Sequence, residues 1–261
     1  MYWNNTSMLF DDIANTLSVS KRSVPRVLSE RGLNTNTKNR YLVNDWFFDE
    51  IDCEEKAYIL GLLYSDGYVG DSHFNNISIS MIDYDIINFV QSKLIKKGDL
   101  IRKIDSGYSE ISISDMYVLN FSSIKMATKL RDRYGFTQDK SYTLESIFKN
   151  VDDKYKHHVL RGYFDGDGSV YLRKNKQKSP SSFISISGTV DVVNEIKDFC
   201  NHSGIINQHT LSKEIWYYKL YSYADVKSFY QMLYKDSTVW LHRKREKFYC
   251  SKYFKYSDLL E

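Results

Sequence analysis

One feature restricts this chain more than any other: most of it is written twice. AYILGLLYSDGYVG at 57–70 is matched by HVLRGYFDGDGSVY at 158–171, which sets Gly61 over Gly162, Asp66 over Asp167 and Gly67 over Gly168 at an offset of 101 residues. ISIS at 77–80 recurs at 184–187, and a helix-like segment follows each copy, DIINFVQSKLIKKG and then DVVNEIKDFCNHSG. VLNFSSIKMATKL at 118–130 resembles KLYSYADVKSFYQML at 219–233. Each copy therefore reads as helix, two alternating strands, helix, two more strands, helix. The class is α+β, with two pseudo-symmetric αββαββα units over 53–150 and 151–261.

Both copies open on a helix with a stripe of small residues. Ala57, Gly61 and Ser65 are spaced by four and share a face, as do Gly162 and Gly166. Such stripes predict a close crossing of the two helices that brings their C-terminal ends together. Asp66 and Asp167 are the last side chains before Gly67 and Gly168, which read as left-handed C-terminal caps. A carboxylate there opposes the helix dipole by roughly 0.3–1 kcal/mol, and two of them repel each other. No basic residue adjoins either aspartate in sequence, so a divalent cation is the expected compensation, with oxygen ligands suited to magnesium. An EF-hand beginning at Asp165 is excluded, because Val170 and Lys176 stand where that loop needs glycine and glutamate.

The strands alternate, with Asn76, Ser78 and Ser80 on one polar face and Ser185, Ser187, Arg173 and Lys174 on the other copy's. Helices covering one side of an antiparallel sheet leave the other side free to bind. Net charge is only +3, so composition alone does not call for nucleic acid. The distribution says more, since basic residues gather in three acid-poor segments around 18–43, 172–179 (with Lys176) and 240–256.

The first of these segments coincides with a predicted helix-turn-helix at 1–33. Helix 11–17 carries Ile13, Ala14 and Leu17 inward, Val19 plugs the turn, and a helix capped by Ser20 carries Val24, Val27 and Leu28. Lys21, Arg22, Ser23 and Arg26 would face DNA. Pro25 is tolerated if the helix starts late enough to keep it in the first turn. Residues 34–52 read as a linker, with Lys38 and Arg40 tracking along a duplex.

The paired segments ILGLLYSDG at 59–67 and LRGYFDGDG at 160–168 resemble the two motifs of single-chain LAGLIDADG homing endonucleases. Tyr64 replaces the family's first aspartate in one motif, while Asp165 keeps it in the other; the metal-binding acids match Asp66 and Asp167. The resemblance covers roughly 53–261 and implies a saddle of two four-stranded sheets in the DNA major groove. It also implies cleavage of one strand by each half to leave 3′ overhangs, and a basic residue near each centre. Lys140 fits the first half, and Arg243 or Lys244 the second. The rival expectation is a non-cleaving DNA- or RNA-binding protein on the same scaffold, either a transcriptional regulator or an intron maturase.

MYWNNTSMLFDD does not read as a secretory leader, no 18-residue apolar run is expected to span a membrane, and the three cysteines lack metal-ligand spacing. The expectation is an intracellular monomer, in cytoplasm or nucleoid and encoded by an intron or phage element, with double-stranded DNA as partner.

Overall fold

The computed structural model describes residues 10–31, 41–104, 115–173, 181–211 and 214–249. The first repeat runs through helix α3 (Glu54–Asp66), strands β2 (Gly67–Val69) and β3 (Asn76–Met81), helix α4 (Tyr84–Leu94), strands β5 (Ile101–Ile104) and β6 (Met116–Ser122), and helix α5 (Ile124–Tyr134). The second runs through α7 (Asp153–Asp167), β7 (Gly168–Arg173), β8 (Ser181–Gly188), α8 (Val190–Cys200), β9 (Ile205–Gln208), β10 (Trp216–Leu220) and α9 (Tyr223–Tyr234). Both sheets are antiparallel and four-stranded, in the equivalent orders β2-β3-β6-β5 and β7-β8-β10-β9. The expected αββαββα units are therefore both present. Each has an appended basic helix, α6 (Lys140–Thr143) and α10 (His242–Tyr249).

Strand alternation puts Ile77, Ile79 and Met81 of β3 and Ile184 and Ile186 of β8 against the helices. Helices α3 and α7 are buried almost all round, so one core runs through both halves. Their crossing is as close as the small-residue stripes require. A Cβ on Gly61 would strike the Val159 carbonyl, one on Gly162 the Tyr58 carbonyl, and one on Gly166 the Ser65 hydroxyl.

A buried ion pair crosses the same interface. Arg161 is fully buried, and its Nη2 meets Glu54 Oε1 of the other half at 2.6 Å. Its remaining nitrogens donate to the Val239 and Leu233 carbonyls, at 2.9 Å each, and contact His158 Nδ1 at 2.7 Å. Burial and the adjacent guanidinium hold His158 down to about 4, so it is the neutral acceptor.

Several expectations are corrected. Gly67 and Gly168 are not left-handed: φ is −83° and −77° with ψ near 159°, because each helix runs straight into a strand. Glycine is required there for space, since a Cβ would collide with Leu63 or Phe164. The proposed linker is also wrong from residue 41 onward. Strand β1 (Leu42–Val43) pairs with β4 (Ile95–Lys97), and Val43, Phe47, Phe48 and Ile51 enter the core. Residues 34–40, with Lys38 and Arg40, lie outside the described residues.

In the N-terminal unit, α1 (Phe10–Leu17) and α2 (Ser23–Glu30) pack through Ile13, Ala14 and Val24. Ser20 does not cap α2. Its carbonyl accepts Ser23 N at 2.9 Å in a preceding turn, the helix begins three residues later, and Pro25 falls in the first turn, where it is tolerated. Val19 does not plug the turn. The chain passes through a left-handed Ser18 (φ 53°), and Val19 is exposed together with Leu17 and Val27.

Candidate active site

The site forms where α3 and α7 end side by side. Asp66 and Asp167 lie at the two C-termini, open to solvent yet hemmed in by protein. This confinement raises the Asp167 carboxyl to about 6, with the Asp66 charge as the second cause. Asp66 is raised by the same confinement, against the pull of Lys244, its hydrogen bond from Ser65 and then Lys140. Ser65 Oγ is 3.3 Å from Asp66 Oδ2.

Two lysines stand below the carboxylates, one per half, and both are buried. Lys140 Nζ donates to the Tyr64 carbonyl at 2.8 Å and the Ser65 carbonyl at 2.6 Å. Lys244 Nζ donates to the Phe164 carbonyl at 2.8 Å and the Gly166 carbonyl at 2.6 Å. They satisfy the terminal carbonyls that a left-handed cap would otherwise have served, and they set a cation against each negative dipole end. Burial lowers both, Lys244 to about 8, while the aspartates pull them back up. Of the two candidates in the second half, Lys244 is the counterpart of Lys140. The Arg243 guanidinium instead pairs with Asp83 of the first half at 2.9 Å.

Asp165, two residues before Asp167, belongs to the scaffold. It is wholly buried, accepts from Tyr58 Oη at 2.8 Å, Leu241 N at 2.7 Å and Tyr234 Oη at 3.2 Å, and is pushed by burial up to about 6. It thereby anchors the segment that leads into α10 and Lys244. Tyr64 does the equivalent in the first half, donating to the Tyr134 carbonyl at 2.7 Å and stacking on Phe136.

A recess of about 160 Å³ opens between the halves, lined by Lys140 from one and by Asp167, Ser187 and Thr189 from the other. The oxygen-only donors match a hard cation such as magnesium, which keeps water or phosphate oxygens in its remaining positions. Among the described residues, no group of three or more His, Cys, Asp or Glu is placed to hold a metal ion.

The other expected residues scatter. Ser78, Ser80 and Ser187 lie half-buried on the outer sheet faces, and Ser187 Oγ donates to the Asp167 carbonyl at 3.2 Å. Ser185 is buried between neighbouring strands, which leaves its hydroxyl little access. Arg173 lies on β7; Lys174 and Lys176 lie outside the described residues. Lys21, Arg22 and Arg26 are exposed on the N-terminal unit, and Ser23 is half-buried with its hydroxyl on Ser20. Sequence reasoning missed Tyr68, Arg102 and Asn120 on the first outer face and Tyr217 and Lys219 on the second. Applying the same alternation to the neighbouring strands β2, β5, β6 and β10 would have found them.

Residues 154–233 match the family model of the LAGLIDADG-like domain. The I-LtrWI LAGLIDADG homing endonuclease, solved bound to target DNA, has a TM-score of 0.51 at 11% identity, over 75% of this chain and 87% of that one. The I-SmaMI LAGLIDADG homing endonuclease bound to cleaved DNA gives 0.47 at 13% identity, over 74% and 86%. I-SmaMI bound to an uncleaved DNA target in the presence of calcium ions gives 0.45 at 13%, over 68% and 84%. No curated protein matches the sequence. At these identities the shared property is the fold. Residues 154–233 thus carry the LAGLIDADG-like domain, and the first half repeats its motif, strand order and lysine-capped helix end.

Proposed function

We propose that the chain is a site-specific endonuclease that hydrolyses both strands of duplex DNA with divalent cations, magnesium in the cell, and leaves short 3′ overhangs. The observation that carries this reading is the meeting of Asp66 and Asp167 over two buried lysines. Two carboxylates with raised pKa values at the negative ends of two helices favour a cation. A bound divalent ion supplies Lewis acidity and a water of lowered pKa for phosphodiester hydrolysis.

The chain's own residues supply the rest. Asp66 and Asp167 hold the charge in place. Lys140 and Lys244 fix the backbone that carries the aspartates and hold positive charge beneath the position of an anionic phosphate. With its pKa near 8, Lys244 Nζ can also release or take up a proton close to neutral pH. The polar outer sheet faces would lie against the duplex as a monomeric saddle. The exposed Lys21, Arg22 and Arg26 of the N-terminal helix pair would add contacts as a helix-turn-helix, with phosphate contacts positioning the unit.

Incubation with a randomised duplex library, with and without magnesium, tests this. The expected result is magnesium-dependent cutting of a few sequences, abolished by Asp66→Asn and by Asp167→Asn. Sequence-specific binding with no cutting under any divalent ion would replace the nuclease with a regulator or maturase.

A further inference from the structure

The outer face of the second sheet carries a row of aromatic rings with no part in the chemistry above. Tyr171 on β7 pairs with Phe183 on β8. Tyr221 follows Leu220 of β10, whose partner Ile184 follows Phe183, so the three rings share one level across three strands. The rings stack, with centroids 4.6 Å apart and planes at 7° for Tyr171 and Phe183, and 5.4 Å and 22° for Phe183 and Tyr221. Val170, Ile184 and Leu220 beside them are buried in the core, so alternation sends the rings to the opposite side. Tyr171 remains 48% and Tyr221 43% exposed. Phe183 is half-buried between them, so the accessible part of the row is the two flanking tyrosines.

The first half differs in kind at this level. The equivalent positions are Gly70, Asn76 and Ser122, with Asn76 paired to Ser122. One half thus presents an amide and a hydroxyl where the other presents an apolar bar flanked by two phenols. The row closer to Asp167, Ser169–Ser185–Lys219, is polar. The aromatic row is therefore a local feature.

We infer that Tyr171, Phe183 and Tyr221 form a thymine-reading subsite in the second half of the DNA site. This rests on the outer faces being the DNA interface. In the major groove only thymine presents a methyl group, beside an O4 acceptor. The exposed rings of Tyr171 and Tyr221, held upright by stacking on Phe183, suit the methyl, and their hydroxyls can donate to O4. Tyr171 lies four residues beyond Asp167, roughly 13 Å along the strand, or about four base-pair rises of 3.4 Å. The contacted thymine should lie about three to five base pairs from the cut on that side.

The test uses the full chain. Bound duplexes are selected from a randomised library without divalent ions, and each thymine of the consensus is then replaced by deoxyuridine, which removes only the methyl. The expected result is a loss of about four-fold in affinity at one or two positions of the second half-site, the value of one buried methyl group. Tyr171→Ser and, separately, Tyr221→Ser should make the protein indifferent to that replacement while other positions keep their effects. A selected site that binds equally well with uracil throughout that half overturns the subsite and leaves the DNA-binding reading standing. So does a uracil effect unchanged in both variants. Selection of no specific duplex overturns both.

Discussion

At the residue scale, the site sets like charges together and the protein supports the cost with backbone contacts. Because the Asp167 pKa in the fold, about 6, lies above its ordinary 3.8, its contribution to stability is complete below pH 4 and is lost as pH rises through 6. Asp167→Asn removes that loss. In the absence of divalent ions the variant should be more stable than the parent at pH 7.5. The gain is on the order of 1 kcal/mol, below the roughly 3 a fully enclosed group would give, because the carboxylate is open to solvent. The gain should vanish near pH 4, and magnesium should stabilise the parent but not the variant. Urea melts from pH 4 to 8 read this directly, and a variant less stable than the parent at pH 7.5 would contradict it. The aspartates were legible in sequence from the repeat. The lysines were not, since Lys140 follows Asp66 by 74 residues and Lys244 follows Asp167 by 77, so the repeat register does not choose between Arg243 and Lys244. Asp83 makes the choice by taking Arg243.

At the element scale, the closeness of α3 and α7 decides whether the two aspartates meet. Added methyl groups on Gly61 and Gly162 run into backbone carbonyls, which cannot move without the helix. Gly61→Ala and Gly162→Ala should each destabilise by about 3 kcal/mol or more, as overpacking at a rigid contact does. Gly166→Ala meets first the Ser65 hydroxyl and Cβ and the Asp66 carboxylate, side-chain atoms of which the hydroxyl and the carboxylate can swing away. It should melt nearer the parent temperature yet cleave poorly, because Asp66 has to move aside. Equal melting temperatures for all three would refute the distinction. The small-residue spacing showed this interface in advance. Its left-handed caps were misread, since a DG pair looks the same whether a helix stops or feeds a strand; the lysine donors replaced the cap.

At the scale of the whole molecule, the halves are tied by more than the central helices. Glu54 holds Arg161 and accepts from Thr238 N at 2.7 Å and Thr238 Oγ1 at 2.8 Å, and Arg243 reaches Asp83. The 41–52 segment packs on the first half, and Tyr155 Oη of the second half donates to its Asp52 carbonyl. Asn44 N donates to the Leu94 carbonyl at 2.8 Å, Tyr41 Oη accepts from Ser122 N at 3.1 Å, and Phe47 and Phe48 are buried. A chain beginning at Tyr41 should melt within a few degrees of the parent and lose only what the N-terminal helices add to DNA affinity. A chain beginning at Cys53 should be unfolded or aggregate, because several core side chains go with the segment. Thermal melts of the two truncations decide between these boundaries, and equal stability would restore the linker reading.

The sequence by itself determined the duplicated αββαββα plan, the helix pair at its centre and the two aspartates, because periodicity and repeat register are local properties carried by every copy. Tertiary structure alone decided which lysine caps which helix, what Asp165 anchors, that residues 41–52 belong to the core, and that one outer face carries a stacked aromatic row. These depend on partners tens to more than a hundred residues away. The register of a strand or the path of a side chain to such a partner is set by the packing of the whole, and no local pattern records it.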